Sequence, residues 1–257
     1  MRRLATALAF LLIACSAGPA AAERLVVSLS NHRVAVTSNF VGEELVLFGT
    51  IEPDLAGQLR PPYDLVVTVT GPQQTMRTRR KQRMLGIWVN VDSREFVSVP
   101  SYLAVLSNRP VAEIADQETL RKLQIGLNYF LLPQRIGPDV ADTVTDDPFR
   151  RAFVRLQRQQ GLYRESSTAV TFLTPTVFRT AIAMPAAVPT GTYAIEVELF
   201  SQGKLVARTN SALEVIKAGF EQYVADAARD YGLLYGMATA LMALLIGWFA
   251  SVVFRRD

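Results

Sequence analysis

Along most of this chain apolar and polar positions alternate with a period of two, in short runs bounded by turn residues. Successive side chains of a strand point to opposite faces, so such runs predict half-buried β-strands. Residues 24–30 (RLVVSLS) and 33–37 (RVAVT) flank Ser30-Asn31-His32, a turn candidate. Residues 44–51 (ELVLFGTI) alternate again, and 63–70 (YDLVVTVT) are rich in β-branched residues. Between them, 52–62 holds three prolines and one glycine and reads as a loop. Gly71-Pro72 ends that strand, 75–83 (TMRTRRKQR) and 85–91 (LGIWVNV) predict a hairpin, and 95–99 (EFVSV) a further strand. The same period returns at 169–173, 177–183, 192–200 and 204–216, with Ser201-Gln202-Gly203 as the last turn.

Between about 107 and 162 the period lengthens. Residues 110–123 fit a helix with Val111, Ile114, Ala115 and Leu123 as apolar contacts. Asp146-Asp147-Pro148 is a helix start, because carboxylates cap free amides and proline suits the first turn. The helix it opens, 149–160, places Phe149, Ala152, Phe153 and Leu156 on one face and Arg150, Arg151, Arg155 and Arg158 elsewhere, and Gly161 stops it. The predicted class is mainly β: an immunoglobulin-like β-sandwich, suggested by VPTGTYAIEV at 188–197, with a helical insertion at about 107–162. Two small β-domains joined by helices are the alternative.

A different pattern closes the chain. Residues 231–254 (YGLLYGMATALMALLIGWFASVVF) carry no ionisable group except tyrosine hydroxyls. As a helix they would reach roughly 36 Å, enough to cross a bilayer. Residues 219–230 read as an amphipathic juxtamembrane stalk that extends this helix outward. On a helical wheel Gly232, Gly236, Ala240, Ala243, Gly247 and Ser251 share an arc of roughly 100°, a face on which a second helix packs closely.

The opposite end sets orientation. A basic start at Arg2-Arg3, an apolar run at 4–14 and Ala20-Ala21-Ala22 predict a secretory leader at 1–22, cut before Glu23. The run Leu12-Ile13-Ala14-Cys15 also resembles a lipobox, so lipidation at Cys15 is the alternative. Either way 23–218 becomes a periplasmic domain. Arg255 and Arg256, in a tail of 255–257, mark the cytoplasmic side by the positive-inside rule. The expected location is a bacterial inner membrane, single-pass, N-terminus outside.

Composition narrows the chemistry. Four of the 27 basic residues lie in the leader and tail, and one of the 23 acidic residues is Asp257, so the domain carries about +1. That balance gives no footing for nucleic acid. The one cysteine is in the leader, so the domain has no disulfide or thiol chemistry.

The runs SNHRVAVTSNFVGEELVLFGTIE (30–52), RKQRMLGIWVN (80–90), VPSYLAVLSNRP (99–110), GLYRE (161–165) and VPTGTYAIEVELF (188–200) resemble the alphaproteobacterial putative transmembrane protein family. So does the closing helix, with LLYG and GWFASVVFRR. The resemblance implies a single-pass protein without assigned catalytic residues. It also implies genes often placed beside sulfite-exporter-type permeases, and hence a transporter accessory role.

Candidate chemistry is sparse. His32 is the sole histidine, too few for a zinc site, and no GxSxG motif accompanies it, so it reads as a turn residue. Glu43 and Glu44 are adjacent and point to opposite faces of a strand. No catalytic, cofactor-binding or metal-ligating set is assigned. Arg77, Arg79, Lys81 and Arg83 would line one strand face, a basic stripe for lipid headgroups, an oxyanion or an acidic partner, or else a charged edge that resists aggregation. Trp88 and Asn90 beside it read as core and turn. The expected function is non-enzymatic: a bilayer-anchored partner of a transporter or envelope complex, or of a second copy through the helix. The alternatives are a periplasmic small-anion binding module and, with least support, a His32-dependent envelope hydrolase.

Overall fold

The computed structural model describes residues 23–53, 62–136, 139–142 and 147–253. The leader with Cys15, most of the loop before residue 62, Asp146, Phe254 and the pair Arg255-Arg256 lie outside the described residues. The described residues are mostly strand, so the chain is mainly β with one C-terminal apolar helix.

The chain opens with β1 (Arg24–Leu29), β2 (Arg33–Val36), β3 (Gly42–Glu52) and β4 (Tyr63–Thr70). A long hairpin of β5 (Gln73–Met84) and β6 (Ile87–Pro100) leads to β7 (Leu103–Ser107). Then come α1 (Val111–Ile114), α2 (Gln117–Leu123), β8 (Pro133–Ile136), β9 (Asp139–Asp142) and α3 (Pro148–Gln159). The chain returns through β10 (Tyr163–Ser166), β11 (Val170–Phe172), β12 (Val177–Pro185), β13 (Gly191–Ser201) and β14 (Lys204–Lys217). It closes with α4 (Phe220–Asp230) and α5 (Gly232–Val253).

Two sheets, ordered β1-β3-β12-β11 and β10-β7-β4-β13-β14-β2, form a sandwich. Their inner phases share one core, with Leu45, Leu47, Phe178 and Ile182 from the first sheet and Leu65, Val67, Ile195 and Val197 from the second. The outer phase of the larger sheet is also covered: Val66, Val105 and Phe200 pack with Val111, Ile114, Leu120 and Ile125 from the helical segment. Both faces of β4 are therefore covered along most of its length, which is why its apolar and β-branched residues run almost without interruption.

The helical segment differs from its sequence pattern in two ways. Residues 110–123 are not one helix. Ala115 is extended at φ −146°, and Asp116, also extended, restarts the chain as α2. In α3 the start and stop are as predicted: Asp147 Oδ1 accepts from the amides of Phe149 (2.8 Å) and Arg150 (3.0 Å). At the other end Gly161 at φ 73° closes a Schellman turn, with amides of Gly161 and Leu162 donating to the carbonyls of Arg158 and Gln157. The faces, however, shift. Leu156 is nearly half exposed, whereas Arg150 is buried and donates to the Phe130 carbonyl at 2.7 Å over the Phe130 ring. A loop without periodicity, 125–132, supplies that partner surface.

Two further corrections concern connections. Residues 75–99 form one continuous hairpin, with Asn90 inside β6 opposite Lys81; the turn is Leu85-Gly86. The stalk is not continuous with the apolar helix either. Tyr231 at φ −125°, ψ 42° separates α4 from α5.

Candidate functional site

The hairpin is rooted in the sandwich. The β4–β7 ladder runs on into β5–β6 through the Gly71 amide to the Tyr102 carbonyl (2.8 Å) and the Ser101 amide to the Pro72 carbonyl (2.9 Å). Near the root, Phe96 packs on Phe153 of α3 (centroids 4.9 Å), and the Tyr163 hydroxyl donates to the Pro100 carbonyl at 2.6 Å. Burial pushes that hydroxyl's pKa well up, which keeps it a neutral donor. Gln157 reaches Met76 Sδ at 3.0 Å. Beyond Thr78 every residue of β5 is exposed.

The predicted stripe lies on that exposed half. The register sets Arg77 opposite Glu95, Arg79 opposite Ser93, Lys81 opposite Asn90 and Arg83 opposite Trp88. Arg77 meets Glu95 at 3.5 Å, a carboxylate that Arg135 also approaches at 3.7 Å. On the other face Arg80 lies 4.0 Å from Asp92, which Arg94 engages at 3.0 Å. Among the described residues no carboxylate pairs with Arg79, Lys81 or Arg83, and Arg83 Nε reaches only the Gly86 carbonyl at 3.4 Å. Positive charge therefore accumulates toward the tip and is neutralised toward the root.

The tip itself is apolar. Met84, Leu85, Ile87 and Trp88 are all exposed, Leu85 fully and Trp88 at 68%. Trp88 is thus not a core residue. Its strand phase is the basic one, and among the described residues no second layer covers that end of the hairpin. Leu85 at φ 50° and Gly86 at φ 86° form a two-residue turn with both residues left-handed. That geometry favours Asn or Gly, so a leucine there is locally unfavourable.

A second feature lies on the outer face of the larger sheet. A cleft of about 600 Å³ is lined by Thr68, Thr70, Lys122, Gln124, Glu196 and Arg208, among others. Beside it Glu198 is 1% exposed, 3.5 Å from Arg208 Nε, and its Oε1 has no hydrogen-bond partner. Burial pushes the Glu198 carboxyl up to about 7. Arg208 opposes that and Glu196 adds to it, and Arg208 is itself drawn to Glu196 at 2.7 Å. Nothing in YAIEVELF signals this buried acid. Alternation sends Glu196 and Glu198 outward, and only tertiary structure shows that α1–α2 and the loop after them cover that side.

His32 is exposed and contributes its backbone, the carbonyl accepting from the Glu214 amide at 2.9 Å, while Asn31 Oδ1 orders the turn by accepting from the Arg33 amide. Glu43 and Glu44 are both exposed. His32, Glu43 and Glu44 are not among the residues that line the cleft or form the hairpin stripe.

The closing helix is apolar over Gly232–Ser251, with mean hydropathy 1.9 and none of it buried inside the protein. A Cβ added at Gly232, Gly236 or Gly247 would meet nothing within 4 Å. Internal packing therefore does not explain the small-residue face. Thr239 folds its hydroxyl back onto the Tyr235 and Gly236 carbonyls at 3.0 and 2.9 Å, the way a lone hydroxyl is satisfied in an apolar helix.

Residues 24–256 match the sequence family described as "Putative transmembrane protein (Alph_Pro_TM)". No curated protein matches the chain. Among solved structures, the chain is similar to the N-terminal domain of the Streptococcus gordonii adhesin Sgo0707, at 7% identity and a TM-score of 0.28. That match takes in 75% of this chain and 32% of the adhesin chain, and at such a score it carries no argument.

Proposed function

This chain belongs to the alphaproteobacterial putative transmembrane protein family, and on that premise we propose that it is a non-enzymatic, single-pass membrane protein whose β-rich domain serves as an interaction module for a transporter or envelope complex. The observation that carries the reading is α5, free of charged residues and unburied over Gly232–Ser251, which would be bathed in lipid. The orientation proposed is domain in the periplasm and C-terminus in the cytoplasm of an inner membrane. It rests on the leader-like start and on Arg255 and Arg256.

Two features support an immunoglobulin-like reading of the domain. The opening segment divides between the sheets, β1 pairing with β3 and β2 running parallel to β14. The Tyr193 hydroxyl also donates to the Pro189 carbonyl at 2.6 Å, a tyrosine corner. Such scaffolds present loops and hairpins from a rigid core, which suits binding.

The small-residue face of α5 is the proposed contact with a second helix. Because Gly236 has open space around it, Gly236→Ile adds bulk without clashing inside the chain. Crosslinking in native membranes, then affinity purification and mass spectrometry, should recover a membrane protein with wild type and lose it with Gly236→Ile. The same partner recovered equally with both chains would sink this contact. The small-anion alternative has weaker support, since at the cleft Arg208 and Lys122 already face Glu196 and Glu118.

A further inference from the structure

We infer that the tip of the β5–β6 hairpin is a second membrane contact: Met84, Leu85, Ile87 and Trp88 enter the anionic surface of the bilayer that α5 spans, and Arg79, Lys81 and Arg83 hold the phosphate level above them. The inference rests on α5 being a tether.

Three observations converge on it. The first is composition. Between Asp64 and Asp92 the chain has no acidic residue, while Arg77, Arg79, Arg80, Lys81 and Arg83 are crowded into seven positions. Apolar residues form the end and cations flank them, the order of an element that buries its tip in lipid and leaves its collar among headgroups. Tryptophan beside the cations fits the interface, where its ring is amphipathic.

The second is topology. β4 and β14 are both antiparallel to β13 and so finish at the same end of the larger sheet, where Thr70 pairs with Ala194 and Val215 with Gly191. Pro72, where the hairpin departs, would lie 3.0 Å from a Cβ on Gly191. The hairpin and the segment leading to α5 therefore leave the domain side by side. The 12 residues of β5 reach roughly 40 Å, whereas the 11 of α4 span about 16 Å. The hairpin is long enough to meet the bilayer.

The third is the turn. A fully exposed leucine occupies a left-handed position that Asn or Gly fills more easily. Among the described residues no contact rewards it, and a lipid surface would.

The test uses the full chain, one copy per nanodisc. Its two tryptophans are Trp88 and Trp248. In Trp248→Phe chains Trp88 reports the tip, and in Trp88→Phe chains Trp248 reports α5. In discs of phosphatidylglycerol and phosphatidylcholine, Trp88 emission should shift to the blue and lose at least half its intensity to acyl-brominated lipid. The effect should weaken in pure phosphatidylcholine. It should also fall in Arg79→Gln/Lys81→Gln/Arg83→Gln, where each charge is worth roughly fivefold in lipid affinity. Trp88 left at its water-exposed emission and unquenched, with Trp248 quenched, overturns the docking alone. Both unquenched overturns the tether as well. A Trp88 shift that needs two chains per disc assigns the tip to a second copy and overturns the lipid contact.

Discussion

Replacing Leu85 by asparagine should stabilise the hairpin while weakening its hold on lipid. A left-handed conformation costs a non-glycine residue roughly 1–2 kcal/mol, and asparagine bears less of it because its short side chain bonds locally. Leu85 is fully exposed, so no packing within the chain is lost by the exchange. The net gain should be about 1 kcal/mol, a factor of roughly five in the opening equilibrium of the turn. Hydrogen exchange of the amides of residues 79–91 reads that opening directly, because a hairpin end opens locally without unfolding the sandwich. Those amides should exchange about fivefold more slowly in Leu85→Asn. In the anionic discs the same variant should lose part of the Trp88 blue shift. Exchange that is unchanged or faster would mean that the turn holds no strain at Leu85. Slower exchange with undiminished Trp88 quenching would deny the leucine side chain any part at the bilayer.

Two further outcomes follow from the core and from the buried acid. Phe153→Ala should lose about 3–5 kcal/mol in urea denaturation, since its ring is buried between Phe96 and Tyr163, whereas Leu156→Ala, 44% exposed, should lose under about 1 kcal/mol. Equal losses would mean that α3 packs by its sequence-predicted face instead. Glu198 has a folded pKa of about 7 against an ordinary 4.5, so the folded state keeps a proton that the unfolded chain releases between those values. Stability attributable to this group therefore falls as pH rises through 4.5–7, by about 3 kcal/mol in all. Glu198→Gln should match wild type near pH 4.5 and exceed it by about that amount at pH 8; a constant difference across the range would rule out a titrating Glu198.

The strands were legible because their period is local. Residues 63–70 and 177–183 announce themselves by alternation or β-branching, and Asp147-Pro148 and Gly161 mark helix ends through single-residue chemistry. What escaped the sequence depends on who covers a face. Arg150 sits at a polar-looking helix position, yet the loop at Phe130 closes over it. Glu198 is in an outward strand phase, yet it is buried under a segment some 80 residues earlier in the chain. Trp88 misleads in the opposite direction: aromatic and flanked by valine and isoleucine, it reads as core, but the hairpin outruns every described layer that could pack on it. The basic stripe was readable as a stripe; the graded loss of its acidic partners toward the tip needed the register.

On the proposed function, one C-terminal helix anchors a β-rich domain in a bilayer. Alkaline carbonate extraction of membranes holding the full chain, beside a chain ended after Asp230, tests it most directly, because high pH strips hairpin-type surface contacts and spares spanning helices. The full chain should stay in the membrane pellet and the shortened one should move to the supernatant. A full chain that is extracted, or a shortened chain that remains in the pellet, would contradict the claim.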